Sequence, residues 1–244
     1  MLLCTERGLI YWPFWALFMV LVPTLALANN GLTFADYNEL QTRLNVKITF
    51  EEEVFPDYSR RVDGLYRVEG ATLGERFRGQ ALTKGAPNSS LADFDVLSNT
   101  AAAPLVIQAG RPRQNLSLRR SPSLGGIGLF GEAWKGFPRG DAGGEGAVSI
   151  FFAEPQFGFG FRVKASKADG SAYGLGVIQI VCFNAGGARV GDVVFDRLRW
   201  NTLQDIACVR SNGQRDIKGC SITNTDPKGV IYDDFIFAYR NSYV

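Results

Sequence analysis

The sequence predicts an all-β fold, a β-sandwich or jelly roll, on three grounds. Apolar and polar residues alternate with a period of two in many segments, as in Val46-Lys-Ile-Thr-Phe50. The 244 residues include 28 Gly and 18 Phe, a composition suited to short strands separated by turns. No long segment after the amino terminus carries the 3.6-residue pattern of a helix. We therefore expect residues 46–244 to form one large β domain rather than two small ones.

The amino terminus has the pattern of a secretory signal peptide. Glu6 and Arg7 precede an apolar run from Leu9 to Leu25, and Ala26-Leu-Ala28 is a small-x-small cleavage signature. We predict that residues 1–28 are removed on secretion, so the protein is extracytoplasmic, either periplasmic or extracellular. The alternative is an uncleaved membrane anchor, since the run approaches the roughly 20 residues of a bilayer span. After cleavage no membrane span is predicted.

Residues 29–45 form a separate leader or a short amphipathic helix. Tyr37, Leu40 and Leu44 are spaced three to four residues apart, so one helical face would be apolar. Thr33 is the residue that we expect to cap such a helix.

Strands are predicted throughout the rest of the chain, most regularly in its second half. Asn184-Ala-Gly-Gly187 and Ser211-Asn-Gly213 supply residues that tolerate the positive φ of tight turns. Lys84 to Gly140 is the least regular region, for which we expect long loops and one edge strand. The predicted strands are Val46 to Glu52, Val62 to Val68, Arg76 to Leu82, Gly146 to Ala153, Phe157 to Ala165, Tyr173 to Phe183, Ala188 to Phe195, Ile206 to Arg210, Ile217 to Thr223 and Val230 to Tyr239.

Four segments in this order resemble a known family: Ile48-Thr-Phe-Glu-Glu-Glu53, Gly146 to Phe161, Gly176 to Gly187, and Ile222 to Phe235. They are similar to the jelly-roll domains of exported bacterial proteins that often carry a PEP-CTERM or other sorting anchor. No sorting tail is recognised here, so surface anchoring is not expected. Related jelly rolls include carbohydrate-binding modules with a structural calcium ion. The resemblance therefore implies a sandwich fold, and it makes a glycan ligand an expectation.

Three cysteines remain after the predicted signal peptide, which carries Cys4 away. Cys208 and Cys220 flank a hairpin-like segment with Ser-Asn-Gly at its turn, so we predict a disulfide between them in an oxidising compartment. Cys182 lies in an apolar run and is predicted to be a buried thiol. A zinc site is not expected, because the chain contains no His and no Cys-x-x-Cys pair.

Two groups of acids suggest a calcium site. Glu51 and Glu52 lie in the first predicted strand of the β domain, and Asp233 and Asp234 lie in the last. First and last strands often lie together in a jelly roll, which would gather carboxylates of the kind that Ca²⁺ prefers. A cation there would relieve their mutual repulsion. The alternative is that these acids form a solvated rim or pair with arginines.

Two tryptophans are predicted to bind a ligand. Trp134 lies in a segment of loop composition, and Trp200 lies between Arg197-Leu-Arg199 and Asn201-Thr202. Sugar rings stack on exposed indole faces while their hydroxyls bond to polar neighbours. The alternative is that each indole fills the core or an edge of the sandwich.

Charge and composition exclude several functions. A net charge of +2 is too even to indicate nucleic-acid binding, and the four arginines of Arg111 to Arg120 are interpreted as a solvated loop. The absence of His excludes a Ser-His-Asp triad. A glycoside hydrolase would need two carboxylates across a cleft, and the acids lack the Glu-x-Asp-x-x-Glu spacing of laminarinase-like sandwiches.

The sequence thus predicts a secreted, non-enzymatic β-sandwich that binds a glycan or another component of the cell envelope, with calcium as a structural cofactor. The first alternative is a purely structural exported protein. The second is a glycoside hydrolase that uses carboxylates.

Overall fold

The computed structural model describes residues 31–55, 57–85, 94–121, 124–134, 136–137, 143–165, 176–226 and 229–240. The predicted signal peptide lies outside them. In the described part of the chain there is one short helix, α1 (Tyr37–Arg43), and the strands are β1 (Leu32–Phe34), β2 (Val46–Ile48), β3 (Ser59–Val62), β4 (Tyr66–Val68), β5 (Ala71–Gly74), β6 (Arg76–Phe77), β7 (Leu82–Lys84), β8 (Asp95–Leu97), β9 (Ile107–Gln108), β10 (Leu116–Ser121), β11 (Gly126–Gly131), β12 (Val148–Gln156), β13 (Gly158–Ala165), β14 (Ile178–Phe183), β15 (Arg189–Phe195), β16 (Gln204–Arg210), β17 (Ile217–Asn224) and β18 (Val230–Phe237).

Most strands form two antiparallel sheets that face each other. The larger, sheet A, has the order β1-β16-β13-β18-β11-β10-β3, and β2 also pairs with β18. Sheet B has the order β15-β14-β17-β12-β5-β4. Two small two-stranded sheets, β6-β9 and β7-β8, lie outside these layers. The predicted all-β sandwich is confirmed.

The core lies between the two sheets and is rich in aromatic side chains. From sheet A, Phe159 and Phe161 point inward, and the pattern of Phe residues alternating with Gly in this segment predicts that face. Val148, Ile150 and Phe152 of β12 meet them from sheet B. Phe152 and Phe159 have ring centroids 5.7 Å apart, within the range of favourable aromatic pairs.

Each sheet also has a covered outer face. On sheet A, Tyr37 and Leu40 of α1 pack against Ala207 and Ile236. Asp36 caps this helix by accepting a hydrogen bond from the Glu39 N–H at 2.8 Å, so the predicted cap at Thr33 is wrong. Thr33 instead belongs to β1, which pairs with β16.

The outer face of sheet B is covered by the chain between β5 and β10. Phe77 and Ile107 of the small β6-β9 sheet pack with Leu105 against Val181 and Phe183 of β14. This is the irregular region that the sequence describes poorly. It gives the sandwich a third layer on one side, and a cleft lies there.

The arginine-rich segment of that region, interpreted from the sequence as a solvated loop, contains a strand, and this strand does not lie at a sheet edge. This strand, β10, lies inside sheet A between β11 and β3. Leu116 and Leu118 are buried in the core, while Arg119 and Arg120 are less buried. The expectation of a solvated loop is wrong here, because the segment has one apolar face that packs into the core.

The predicted pairing of Cys208 with Cys220 is wrong. The disulfide joins Cys182 to Cys220, and Cys208 is a buried free thiol. The Ser211-Asn-Gly213 turn does not close a hairpin, because β16 belongs to sheet A and β17 to sheet B. Cys182 and Cys220 lie directly opposite each other on β14 and β17 of sheet B, with Cα atoms 4.1 Å apart.

None of the described helices is long and apolar enough to cross a bilayer.

Candidate functional site

The two aspartates of the last strand lie at a β-bulge. Between its pairings with Gly160 and Arg162 of β13, β18 contains one residue more than its partner, and Asp234 has a φ of 50°. The extra residue shifts the alternation, so Tyr232 and Phe235 both face the core. Strict alternation would have put one aspartate on the core face. The bulge removes that conflict.

Asp234 is neutralised by cations of the chain itself. Its Oδ2 lies 2.9 Å from both Lys47 Nζ and Arg162 Nη1. The Tyr37 hydroxyl donates to its carbonyl oxygen at 2.7 Å, which ties α1 to the bulge. We refer to Asp233 and Asp234 with these partners as the acidic bulge.

Asp233 is held differently from its neighbour. Its Oδ1 accepts a hydrogen bond from the Asp234 N–H at 2.7 Å. Burial, together with the negative charges of Asp234 and Glu51, raises the pKa of Asp233 to about 7. This link to Glu51 agrees with the predicted contact of first and last strands, since β2 pairs with β18. Glu52 is exposed, and Glu51 Oε1 accepts a hydrogen bond from the Ile127 N–H at 2.9 Å.

Calcium binding at Glu51, Glu52, Asp233 and Asp234 stays a prediction. Within the described ranges, no three acidic, His or Cys side chains are grouped so that they could hold a metal ion. Lys47 and Arg162 already occupy the place of a cation beside Asp234.

The third layer forms a cleft with sheet A and sheet B, which we call the Trp134 cleft. Its volume is about 330 Å³. Residues from four parts of the chain line it: Glu75, Arg76, Gln80, Leu82, Thr83, Lys84, Asp95, Arg111, Gln114, Glu132, Ala133 and Trp134. The sequence prediction identifies only Trp134 among them as a ligand-binding residue.

Three buried carboxylates contribute to the floor of the cleft, by which we mean its buried lining residues. Glu75, Asp95 and Glu132 are 2%, 6% and 1% exposed. Glu75 pairs with Arg76, and Glu132 pairs with Arg119. Asp95 Oδ2 accepts a hydrogen bond from the Ala147 N–H at 3.0 Å. Burial raises the pKa of Asp95 to about 6, although this hydrogen bond and the charge of Arg76 act in the opposite direction.

Glu132 has one oxygen without a partner among the described residues. Its Oε1 accepts hydrogen bonds from Ser117 and Arg119, whereas its buried Oε2 accepts none. A buried carboxylate oxygen that lacks a donor costs free energy.

The rim of the cleft is exposed and carries an aromatic residue beside cations. Trp134 is 59% exposed. Its carbonyl oxygen accepts a hydrogen bond from Gln114 Nε2 at 2.8 Å, which fixes the segment that carries the indole. The Lys84 ammonium lies 5.7 Å from the centroid of the indole, and Arg111 is also exposed at the rim. An exposed indole over a polar floor suits a flat ring with hydroxyl groups.

Trp200 lies elsewhere. It is 40% exposed and forms an isolated bridge with Ala165 at the end of β13. It does not line the Trp134 cleft. Trp200 and Trp134 therefore do not line one common site, and ligand binding by Trp200 stays a prediction.

A second cavity of about 470 Å³ lies beside β2 and is lined by Glu52, Glu53 and Glu69 among others. Its aromatic residues are less accessible to a ligand. Phe50 is buried, and the Tyr66 hydroxyl already donates a hydrogen bond to Glu53 at 2.7 Å. The Trp134 cleft is smaller, but its indole is accessible. We therefore regard it as the better ligand site.

Comparisons with known proteins do not identify a family. No family model matches the chain, and no curated protein matches it. Among solved structures, the N-terminal CBM22-1 and GH10 modules of xylanase 10B from Clostridium thermocellum, solved with xylohexaose, align with 13% identity and a TM-score of 0.29. The alignment covers 80% of this chain and 28% of the xylanase chain. A TM-score this low supports no inference, and the resemblance to PEP-CTERM jelly rolls stays a prediction.

Proposed function

We propose that the protein is an exported, non-enzymatic module that binds glycan in the Trp134 cleft. The observation that carries the proposal is the exposed indole of Trp134 at the rim of a cavity whose floor is polar and buried. Stacking on the indole supplies apolar contact, while the carboxylates of the floor accept hydrogen bonds from ring hydroxyls. The size of the cavity suits one or two sugar rings better than a protein surface.

Two features support the other parts of the proposal. The disulfide between Cys182 and Cys220 is of the kind that persists in oxidising compartments, which favours export. The chain has no His, so the commonest general base is missing. A glycoside hydrolase that uses carboxylates of the floor is the alternative. It would release reducing sugar from the polysaccharide that it binds.

The test is affinity electrophoresis of the purified protein against a panel of soluble neutral and acidic polysaccharides. We expect at least one polysaccharide to retard the protein. Trp134→Ala should weaken that binding by about ten- to thirty-fold, as for an aromatic side chain that the bound ligand covers. Trp200→Ala is the matched control, because it removes a similarly exposed indole outside the cleft.

The outcomes separate the proposed site from its alternatives. Retention of full affinity by Trp134→Ala would contradict the proposed site. Loss of affinity in both variants would extend the binding surface to Trp200. Absence of retardation by the whole panel would favour a purely structural protein.

A further inference from the structure

The segment that carries Trp134 is hydrogen-bonded to the chain just before β10. The Glu132 N–H donates to the Asn115 carbonyl oxygen at 2.9 Å. Two residues further on, the Trp134 carbonyl oxygen accepts a hydrogen bond from Gln114 Nε2 at 2.8 Å. The position of the indole therefore depends on where the preceding chain lies.

Arg113 connects these two segments with both its backbone and its side chain. Its carbonyl oxygen accepts a hydrogen bond from the Phe137 N–H at 2.8 Å, and its Nε donates to the Phe137 carbonyl oxygen at 2.8 Å. Arg113 has a φ of 72°, which residues other than glycine seldom adopt. Such a conformation persists only where neighbouring groups hold it.

Asp63, directly after β3, holds Arg113 from the other side. Its Oδ1 accepts a hydrogen bond from the Arg113 N–H at 2.8 Å, while its Oδ2 lies 2.6 Å from Arg61 Nε. Asp63 does not line the Trp134 cleft. A series of hydrogen bonds thus runs from Asp63 through Arg113 to Phe137, which is three residues after Trp134.

We propose that Asp63 is a positioning residue for Trp134. It fixes Arg113, and through Phe137 it holds the segment that carries the indole at the rim of the cleft before a ligand binds. Ordering such a segment during binding would cost conformational entropy, so a segment that is already held binds more tightly. This effect on affinity rests on the glycan-binding function proposed above, whereas the effect on the free protein does not.

Amide hydrogen exchange of the ligand-free protein, followed by NMR spectroscopy, tests the positioning by itself. Asp63→Ala removes the acceptor, and we expect the Phe137 amide to exchange about three- to ten-fold faster. The Glu132 amide is the internal control. Its acceptor residue, Asn115, is held separately, because Asn115 Nδ2 donates to the Val62 carbonyl oxygen at 2.7 Å. Unchanged exchange at Phe137 would overturn the proposal.

Two further variants separate the acceptor from the charge of Asp63. Asp63→Asn keeps an oxygen that can accept from the Arg113 N–H, so exchange at Phe137 should stay within about two-fold of that of the natural protein. Arg61→Gln is the matched control, since it removes the ion pair and leaves the acceptor in place. Faster exchange in Arg61→Gln, equal to that in Asp63→Ala, would assign the effect to the ion pair and contradict the proposed role.

The affinity for a polysaccharide that retards the protein tests the consequence. Asp63→Ala should weaken binding by about three- to ten-fold, although it changes no residue that lines the cleft. In a protein that already carries Trp134→Ala, the same change should have no further effect, because Asp63 acts through the indole. An equal loss in both backgrounds would show a general structural defect and overturn the positioning role.

The two proposals fail in different ways. If no polysaccharide binds, glycan binding falls, and exchange at Phe137 alone decides whether Asp63 positions the segment. If a polysaccharide binds with sensitivity to Trp134→Ala, but Asp63→Ala changes neither exchange nor affinity, the positioning role falls and glycan binding stands.

Discussion

The acidic bulge and the floor of the Trp134 cleft are both built from largely buried carboxylates, but they differ in what compensates them. At the bulge, Asp234 receives two cations of the chain at 2.9 Å, and neither described cavity is lined by Asp233 or Asp234. In the cleft, Glu132 keeps a buried oxygen with no partner among the described residues, and Glu132 is one of the residues that line a cavity of about 330 Å³. Accessible space and incomplete pairing thus indicate a ligand site better than clustered acids do.

The largest effect is expected at the bulge. Asp234→Ala leaves Lys47 and Arg162 without their shared carboxylate and places Ala in a left-handed conformation. We expect the free energy of unfolding to fall by about 2 to 3 kcal/mol, since the pair is only partly buried. Urea denaturation at pH 7 measures it. Asp234→Asn should lower the free energy of unfolding by less, because Asn adopts the left-handed conformation more readily than Ala.

The control for this prediction is Asp192→Ala. Asp192 pairs with Arg189 on β15, the edge strand of sheet B, and its loss should cost less than about 1 kcal/mol. Equal losses at Asp192 and Asp234 would mean that the bulge is no more structural than an ordinary surface pair. Glycan binding should be unaffected by either change.

The dependence of stability on pH tests the burial of Asp95 on the floor of the cleft. Because the pKa of Asp95 is raised to about 6 in the folded protein, its protonated form stabilises the fold at low pH, and this contribution is lost as pH rises from about 4 through 6. The loss amounts to about 2 to 3 kcal/mol. Asp95→Asn should remove that part of the pH dependence and be more stable than the natural protein at pH 7.

Thermal unfolding across pH 4 to 8 measures this effect. Asp57→Asn, at an exposed carboxyl group, is the control and should leave the profile unchanged. An unchanged profile for Asp95→Asn would show that the floor is better solvated than its burial indicates. Asp233, whose pKa is raised to about 7, should contribute with the same sign. Its contribution is weakened by solvent screening, because its side chain is more exposed than that of Asp95.

The smallest effect concerns calcium. We propose that Glu51 and Asp233 bind Ca²⁺ weakly, since Asp234 is already neutralised and two carboxylates are few for this ion. At ten times the dissociation constant, binding adds about 1.4 kcal/mol, or about 3 to 6 °C in Tm. Melting curves in calcium and in chelator should differ by this amount, and Asp233→Asn should abolish the difference. Superimposable curves would exclude calcium as a stabilising ion.

The sequence predicts local features better than it predicts contacts. The strands of the second half follow from alternation between glycine turns, and the ends of β13 and β15 lie within one or two residues of those expected. The bulge at Asp234 is not predictable in this way, because alternation alone does not indicate where a strand gains a residue. The disulfide prediction fails because a Ser-Asn-Gly turn does not reveal whether it closes a hairpin or crosses between sheets.

Most residues of the cleft could not be predicted either, because the sequence does not reveal contacts between distant segments. Glu75, Asp95 and Glu132 are separated by 20 to 57 residues along the chain and meet only because the third layer folds over sheet B. Trp134 is identifiable because its segment has the composition of a loop. A polar residue that follows an apolar run, such as Glu132 after Gly126-Ile-Gly-Leu-Phe-Gly131, is the signal that points to the floor.

The disulfide has a consequence for how the cleft responds to a ligand. Ser221, the residue after Cys220, donates to Gln80 Oε1 at 3.0 Å, and Gln80 lines the cleft. One wall therefore rests on two covalently joined strands and is preorganised, while the side chains of Arg111 and Trp134 extend into solvent at the rim. When a ligand binds, only the side chains at the rim should become more ordered. The conformational entropy that they lose would then limit the affinity. Reduction of the disulfide would loosen the two strands, so that residues on the floor would also lose conformational entropy when a ligand binds.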